Sequence, residues 1–260
     1  MKEQDIQQWS HVLNQARISA TPMAQISTQI QGFTRSDAYS IQENGVSFRQ
    51  SKGEKFIGYK MGLTSEAKRK QMNLDSPLYG VLTDKMQVQK EFLLKGSIHP
   101  KIEPEIAFLI RDSLSENPTR EEVLGATEAV CACMEILDSR YQHFKYFSME
   151  DVISDNSSSS HFVLGPWVRD FQKLDLKNRT MKMFVGDQLA QAGNSADISG
   201  DPVVSVIQLC QLLAERKHRV PKNSIVLAGA ATIAVALEPG MKVRLEIPGL
   251  PNAQVSVKHE

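Results

Sequence analysis

The segment His99-Pro-Lys-Ile-Glu-Pro-Glu-Ile-Ala-Phe-Leu-Ile110 constrains this chain more than any other. Its charged and apolar residues alternate with period two, the repeat of a strand. In an extended backbone Lys101, Glu103 and Glu105 share one face while Ile102, Ile106 and Phe108 take the other, and the two carboxylates stand roughly 7 Å apart at Cβ. A strand with one wet face alternates in the same way, so spacing alone leaves a solvated face and a two-acid wall both open. Glu135 shifts the balance. It stands in Cys133-Met-Glu-Ile-Leu137, an apolar run expected to be a buried strand, where an unpaired carboxylate carries a large desolvation penalty. Three carboxylates converging from two strands make an oxygen-rich site suited to Mg²⁺ or Mn²⁺, ions that keep positions open for water or substrate. The structural alternative is an ion pair of Glu135 with Arg140 or Lys101.

Further strand-like runs follow the same logic: 56–60, 105–110, 134–137, 161–164, 180–185, 225–228 and 241–247. Pro239-Gly240 and Pro248-Gly249 mark turns, so the last strands are expected to form antiparallel hairpins closing a sheet or barrel. Ahead of the strands, Ile6, Trp9, Val12 and Leu13 repeat at helical spacing, and Thr34 with Asp37 can open a second helix. Thr119 with Glu122, and Asp201-Pro202, announce two more. The expected fold class is α+β: a mixed, mostly antiparallel β core with a helical N-terminal arm. The arm is placed at 1–52 and the β-rich catalytic domain at 53–260, divided at the polar stretch Ser51–Glu54.

Length and composition narrow the partner. A chain of 260 residues buries a substantial core. Thirty basic residues against thirty acidic ones leave no net field to recruit nucleic acid or an anionic membrane. The longest uncharged stretch, 223–237, is too short to span a bilayer. The N-terminal stretch has neither the apolar core of a secretory signal nor the acid-poor character of a transit peptide, so a cytoplasmic location is expected. Cys131, Cys133 and Cys210 fit neither a disulfide framework nor a zinc site, and read as small buried residues. There is no GxGxxG, P-loop or GxSxG motif, and His161 beside a serine run is weak evidence for a triad. A small-molecule partner remains. Lys60, in Gly58-Tyr-Lys-Met-Gly-Leu-Thr-Ser65, sits at an apolar strand end before a glycine, where it either polarises a carbonyl or snorkels to solvent. Asp155-Asn-Ser-Ser-Ser-Ser160 is either a plain turn or a hydroxyl cradle for a carboxylate.

Four co-linear blocks then make the chain recognisable: GYKMGLTSEAKRKQMNLDSPLYGVLTDKM (58–86), IHPKIEPEIAFLI (98–110), MEILDSRYQHFKYF (134–147) and VISDNSSSSHFVLG (152–165). With them the chain resembles the hydratase/decarboxylase family of the catechol meta-cleavage pathway, relatives of the fumarylacetoacetate hydrolase superfamily. The resemblance implies that fold, a Mg²⁺ or Mn²⁺ held by Glu103, Glu105 and Glu135, an active-site Lys60, and a serine run whose Ser160 faces a small dicarboxylate substrate. It also implies a homo-oligomer and a complex with a 2-hydroxypentadienoate hydratase.

Two activities divide such a family: hydration of 2-hydroxypenta-2,4-dienoate, and decarboxylation of 4-oxalocrotonate (2-oxo-3-hexenedioate) to that dienol. Hydratases of this type typically carry Pro-Asp-(Phe/Tyr/Ser)-Gly where this chain has Pro77-Leu-Tyr-Gly80. Leu78 thus replaces an acid that would handle water, lines the substrate site in its place, and suits loss of CO₂. The leading expectation is a metal-dependent carboxy-lyase. The hydratase, and a non-catalytic partner subunit of a decarboxylase–hydratase complex, are the alternatives. The resemblance weakens at Ser199-Gly-Asp-Pro202, where relatives carry Leu-Gly-His-Pro, and at Ala228-Gly-Ala-Ala231, where they carry Thr-Gly-Gly.

Overall fold

The computed structural model describes residues 1–65, 69, 76–143 and 148–260. Parts of the blocks quoted above, at 66–68, 70–75 and 144–147, lie outside the described residues.

The N-terminal arm consists of α1 (Glu3–Ser19) and α2 (Arg35–Ser51). The second helix starts where its sequence dictates. Thr34 Oγ1 accepts the Asp37 N–H and Asp37 returns the bond to the Thr34 N–H, so two of the helix's four unpaired donors are satisfied locally. Leu13, Ile26, Ile41 and Tyr141 form a small core between arm and body. The arm also enters the main core: Ala38, Tyr39 and Val46 belong to it, with Tyr39 stacked on Tyr79 at 4.7 Å between ring centres.

After the arm come β1 (Phe56–Gly62), β2 (Leu78–Thr83), β3 (Gln87–Val88), β4 (Glu91–Leu93) and β5 (Lys101–Ile110). Helix α3 (Arg120–Ala126), opened by the Thr119–Glu122 capping box, turns the chain into β6 (Thr127–Leu137). Helix α4 (Met149–Ser154) precedes β7 (Ser159–Leu164), and β8 (Thr180–Val185) and β9 (Gln188–Asn194) form a hairpin. Helix α5 (Pro202–Ala214) has Asp201 as its cap, and β10 (Ser224–Leu227), β11 (Val235–Ala236), β12 (Lys242–Ile247) and β13 (Leu250–Lys258) complete the chain.

Two sheets share one core. The larger runs β2–β1–β10–β5–β6–β7–β3 with β11 beside the start of β5, and the smaller runs β4–β13–β12–β8–β9. Most pairs are antiparallel, but β1–β10, β3–β7 and β4–β13 are parallel. The fold is therefore α+β and mixed, as its strand and cap signals indicate. The expected C-terminal hairpin is present as β12–β13, turning at Pro248-Gly249, but it lies inside an open five-stranded sheet and closes no barrel among the described residues. No helix among the described residues is long and apolar enough to cross a membrane.

Candidate metal and substrate site

Strands β5 and β6 lie at the centre of the larger sheet, which buries both of their faces. Their antiparallel register sets Glu103 directly opposite Glu135, and Glu105 lies two residues further along the same face of β5. Glu105 and Glu135 are both 0% exposed, so the wet-face reading of the alternation does not hold. Carboxylate oxygens of Glu103, Glu105 and Glu135 come within 4.8 Å of one another.

Each buried acid is held by a different strand or loop. Glu135 Oε1 accepts a 2.8 Å hydrogen bond from Ser159 Oγ, at the start of β7. Its Oε2 lies 3.0 Å from Nζ of Lys60, a side chain 2% exposed that arrives from β1. Glu135 thus meets Lys60, and Arg140, one of the two partners the sequence offered, meets Asp155 instead. Glu105 Oε2 accepts the Gly229 N–H at 2.7 Å. Gly229 holds φ +104°, and a Cβ there would fall 2.4 Å from Thr64 Oγ1, so a residue without a side chain is required for this donor to reach the carboxylate. Glu105 Oε1 is buried and has no hydrogen-bond partner among the described residues.

Burial pushes the Glu105 carboxyl well above the usual carboxylate range; the neighbouring charges of Glu135 and Glu103 add to the effect, while Lys60 and the Gly229 N–H oppose it. Burial likewise raises Glu135, more than Lys60 and Ser159 lower it. The thiol of Cys133, under the same cluster, is pushed well up by burial and by Glu105, which leaves it neutral and inert. Three carboxyl groups thus gather beside Lys60, and a buried oxygen of Glu105 has no donor among the described residues. An all-oxygen donor set of that kind fits a hard divalent cation with positions left for other ligands.

A second group of side chains converges on Gly62. A Cβ on that residue would stand 2.8 Å from Leu78 Cδ1, 2.8 Å from Ser157 Oγ and 3.6 Å from Lys60 Nζ, so three side chains from β1, β2 and the serine turn meet at one point. Leu78 is fully buried there. The turn itself is unusual: Asn156, Ser157 and Ser158 hold φ of 50°, 57° and 54°, a left-handed conformation that costs roughly 1–2 kcal/mol per non-glycine residue. Neighbours hold it in place. The Asn156 amide bonds both the N–H and the C=O of Val81 on β2, at 2.8 and 3.0 Å, as an adjacent strand would. Buried Arg140 binds the Asp155 carboxylate and the carbonyls of Asp138, Asp155 and Ser159.

The candidate residues divide accordingly. Glu103, Glu105, Glu135, Lys60 and Leu78 gather around one locus. Ser160 does not join them: its Oγ meets His161 Nδ1 at 2.8 Å, and Ser159 takes the contact with Glu135. The cause is a bulge, because Ile136 pairs with His161 and Leu137 with Ser159, leaving Ser160 as the extra residue. The run of four serines marked the segment without saying which hydroxyl turns inward. His161 is driven down to about 4 by burial and by Arg49, Arg17 and Arg140, so it is neutral at ordinary pH. Ser157, Ser159 and the Gly229 N–H carried no separate signal in the sequence. Asp201, at one point of divergence, is a helix cap: its Oδ1 accepts the Val203 N–H at 2.9 Å.

Comparisons with known proteins follow the same line. Residues 69–258 match the model of the fumarylacetoacetate (FAA) hydrolase C-terminal family. A 4-oxalocrotonate decarboxylase of a Pseudomonas species is 39% identical over 250 residues, 95% of this chain and 96% of that one. The 2-hydroxyhexa-2,4-dienoate hydratase of Comamonas testosteroni is 32% identical over 248 residues, 94% of each chain. The solved structure of 4-oxalocrotonate decarboxylase from Pseudomonas putida G7, complexed with magnesium and adipate, superposes with a TM-score of 0.94 at 29% identity, covering 99% of this chain and 98% of that one.

Proposed function

The chain belongs to the fumarylacetoacetate hydrolase family, in its decarboxylase–hydratase branch, and we propose that it decarboxylates 4-oxalocrotonate to 2-hydroxypenta-2,4-dienoate and CO₂ with Mg²⁺ or Mn²⁺ as cofactor. The observation that carries this reading over hydration is the fully buried Leu78, packed beside Lys60 and Ser157 where a hydratase of this kind would present an acid. The decarboxylase relatives, and the magnesium and adipate in one of them, support it.

The substrate is a vinylogous β-keto acid. Breaking its C5–C6 bond releases CO₂, and the electron pair passes through the alkene to the C2 oxygen, which then takes a proton. Glu103, Glu105 and Glu135 would hold the ion, with the Gly229 N–H and the Ser159 hydroxyl fixing two of the three carboxylates. A divalent cation held there would supply Lewis acidity to the oxo-acid end of the substrate. Lys60, oriented by its contact with Glu135, donates a hydrogen bond to the C2 oxygen as negative charge gathers there. Ser157, beside Lys60, takes the role at the C1 end that the sequence assigned to Ser160. Leu78 keeps water from the dienolate and lowers the local dielectric around the departing carboxylate. A homo-oligomer and a complex with a hydratase that consumes the dienol belong to the same proposal.

The test is an assay on metal-depleted protein with 4-oxalocrotonate, following substrate absorbance and CO₂ before and after addition of Mg²⁺ or Mn²⁺. CO₂ release restored by metal, and lost in Glu105→Gln with the fold retained, is the expected result. Hydration of the dienol without any CO₂ from 4-oxalocrotonate refutes it in favour of the hydratase. Turnover only on mixing with a hydratase assigns the chain to a non-catalytic partner, a reading that the complete Glu103, Glu105, Glu135 and Lys60 set opposes.

A further inference from the structure

Glu105 is fully buried, and the Gly229 N–H reaches its Oε2. That N–H is one end of a planar peptide unit whose other end is the carbonyl of Ala228. In a trans peptide the two ends point in opposite directions, so whatever fixes the oxygen also aims the hydrogen. The oxygen is fixed from a different element: Ser205 Oγ, on α5, donates to it at 2.6 Å. One peptide plane is therefore held at both ends, and a hydrogen-bonded relay runs from helix to carboxylate. Ser205 O–H donates to the Ala228 carbonyl, and Gly229 N–H donates to Glu105 Oε2 at 2.7 Å.

Packing alone would not select a serine at this position. Ser205 is 0% exposed, on a helix whose Val203, Val206 and Leu209 are buried as deeply, and a small apolar residue would fill the place without a polar atom to satisfy. A helical serine commonly returns its hydroxyl to the carbonyl four residues back; Ser205 donates instead to a segment 23 positions away. What that segment needs is a fixed orientation. It is tied to β5 on either side of the peptide, Ala228 N–H to the Ile106 carbonyl at 3.0 Å and Ala231 N–H to the Pro104 carbonyl at 3.2 Å. These bonds leave the plane between Ala228 and Gly229 free to rotate, and Gly229, at φ +104°, has no side chain to resist the rotation. A donor on the carbonyl also polarises the peptide and strengthens its N–H as a donor, by about 10–30% per bond in such a chain.

We propose that Ser205 is a positioning residue of the carboxylate site, acting through the Ala228–Gly229 peptide to hold Glu105 in the orientation in which it binds metal, an inference that rests on the reading of Glu103, Glu105 and Glu135 as the metal ligands.

The experiment compares the full parent chain with Ser205→Ala and, as control, Ser224→Ala. Ser224 is buried on the strand that leads to Ala228, and its Oγ has no partner among the described residues. Two quantities are read: hydrogen exchange of the Gly229 amide by NMR on metal-depleted protein, and Mn²⁺ affinity by titration calorimetry. Ser205→Ala is expected to speed Gly229 exchange about tenfold or more and to weaken Mn²⁺ about threefold or more. The Gly165 amide, bonded to the Ala132 carbonyl at 2.8 Å, reports general opening of the fold and should keep its rate. Ser224→Ala should leave both quantities unchanged. Ser205→Cys, close in shape and a weaker donor, is expected to fall between parent and Ser205→Ala, and it keeps the test informative should Ser205→Ala lose stability. Gly229 exchange that rises no more than that of Gly165, a smaller loss of Mn²⁺ affinity, or equal effects in Ser224→Ala would each overturn the relay. A parent chain that binds no Mn²⁺ overturns the metal reading instead, and exchange in the metal-depleted protein still decides whether Ser205 holds the peptide.

Discussion

Replacing Lys60 by Met removes the cation that meets the buried carboxylate of Glu135. Lys60 is 2% exposed, Glu135 is 0% exposed, and the ion pair spans 3.0 Å. Methionine fills similar volume, so the main change is electrostatic: Glu135 keeps only its bond from Ser159, with Glu105 nearby and buried as deeply. Removing one partner of a buried pair costs about 3–5 kcal/mol. At roughly 2–4 °C per kcal/mol for a chain of this size, metal-depleted Lys60→Met is expected to melt roughly 6–20 °C below the parent at pH 8. The deficit should depend on pH. Both buried acids have carboxyls raised above their unfolded values, so between the unfolded and folded values the folded state binds more protons and stability falls as pH rises. Without Lys60 that window extends further upward, and the deficit is therefore smallest at the acid end and grows as pH rises. Two rescues follow: Glu135→Gln in the same chain removes the unpaired charge, and millimolar Mg²⁺ supplies another cation. Circular-dichroism melts of the single and double variants at pH 5, 6.5 and 8, with and without Mg²⁺, measure all three effects. A Lys60→Met melt within 1–2 °C of the parent at pH 8 without metal, or a deficit independent of pH, would refute the account.

Three other changes test neighbouring features. Ser159→Ala removes the 2.8 Å bond to buried Glu135; a lost bond to a charged group costs about 1.5–3 kcal/mol, and an outer-shell loss of this type weakens metal about 10- to 100-fold, which titration calorimetry with Mn²⁺ reads directly, whereas Ser160→Ala should leave that affinity within about twofold. Gly229→Ala forces a Cβ against Thr64 at a φ of +104° and pulls the amide from Glu105; turnover at saturating Mg²⁺ should drop at least tenfold, and parent-like activity would show the amide to be dispensable. Leu78→Asp places an acid beside Lys60; the ratio of hydrated product to CO₂, read by chromatography against gas release, should rise, and an unchanged ratio would remove Leu78 as the discriminator.

The local part of this architecture is written in the chain within spans of a few residues. The Thr34–Asp37, Thr119–Glu122 and Asp201–Pro202 caps were legible because the bonds they make close within four residues. The period-two pattern of 101–110 and the acid within 133–137 marked strands that must bury charge, and three carboxylates on two strands already named the cluster's chemistry. Strands without such a pattern, β2 and β9 among them, were not legible: β2 is buried at every position and has no alternation to read.

Tertiary structure decided what the cluster is held by. Lys60 and Glu135 are 75 positions apart and their strands are separated in the sheet by β10 and β5, so nothing local connects them. Only the sheet order brings Lys60 onto Glu135, while Arg140, far nearer in the chain, turns to Asp155. The Gly229 amide reaches Glu105 across the 124 positions between them. The choice of Ser159 over Ser160 rests on a single extra residue in β7, and since a one-residue shift turns a strand's side chains to the opposite face, identical neighbouring residues give no basis for choosing between them. Residue type and spacing thus determined which groups must be buried and what ion they suit, while strand order, bulge and a left-handed turn, set by packing between segments distant in sequence, determined which partner each group meets.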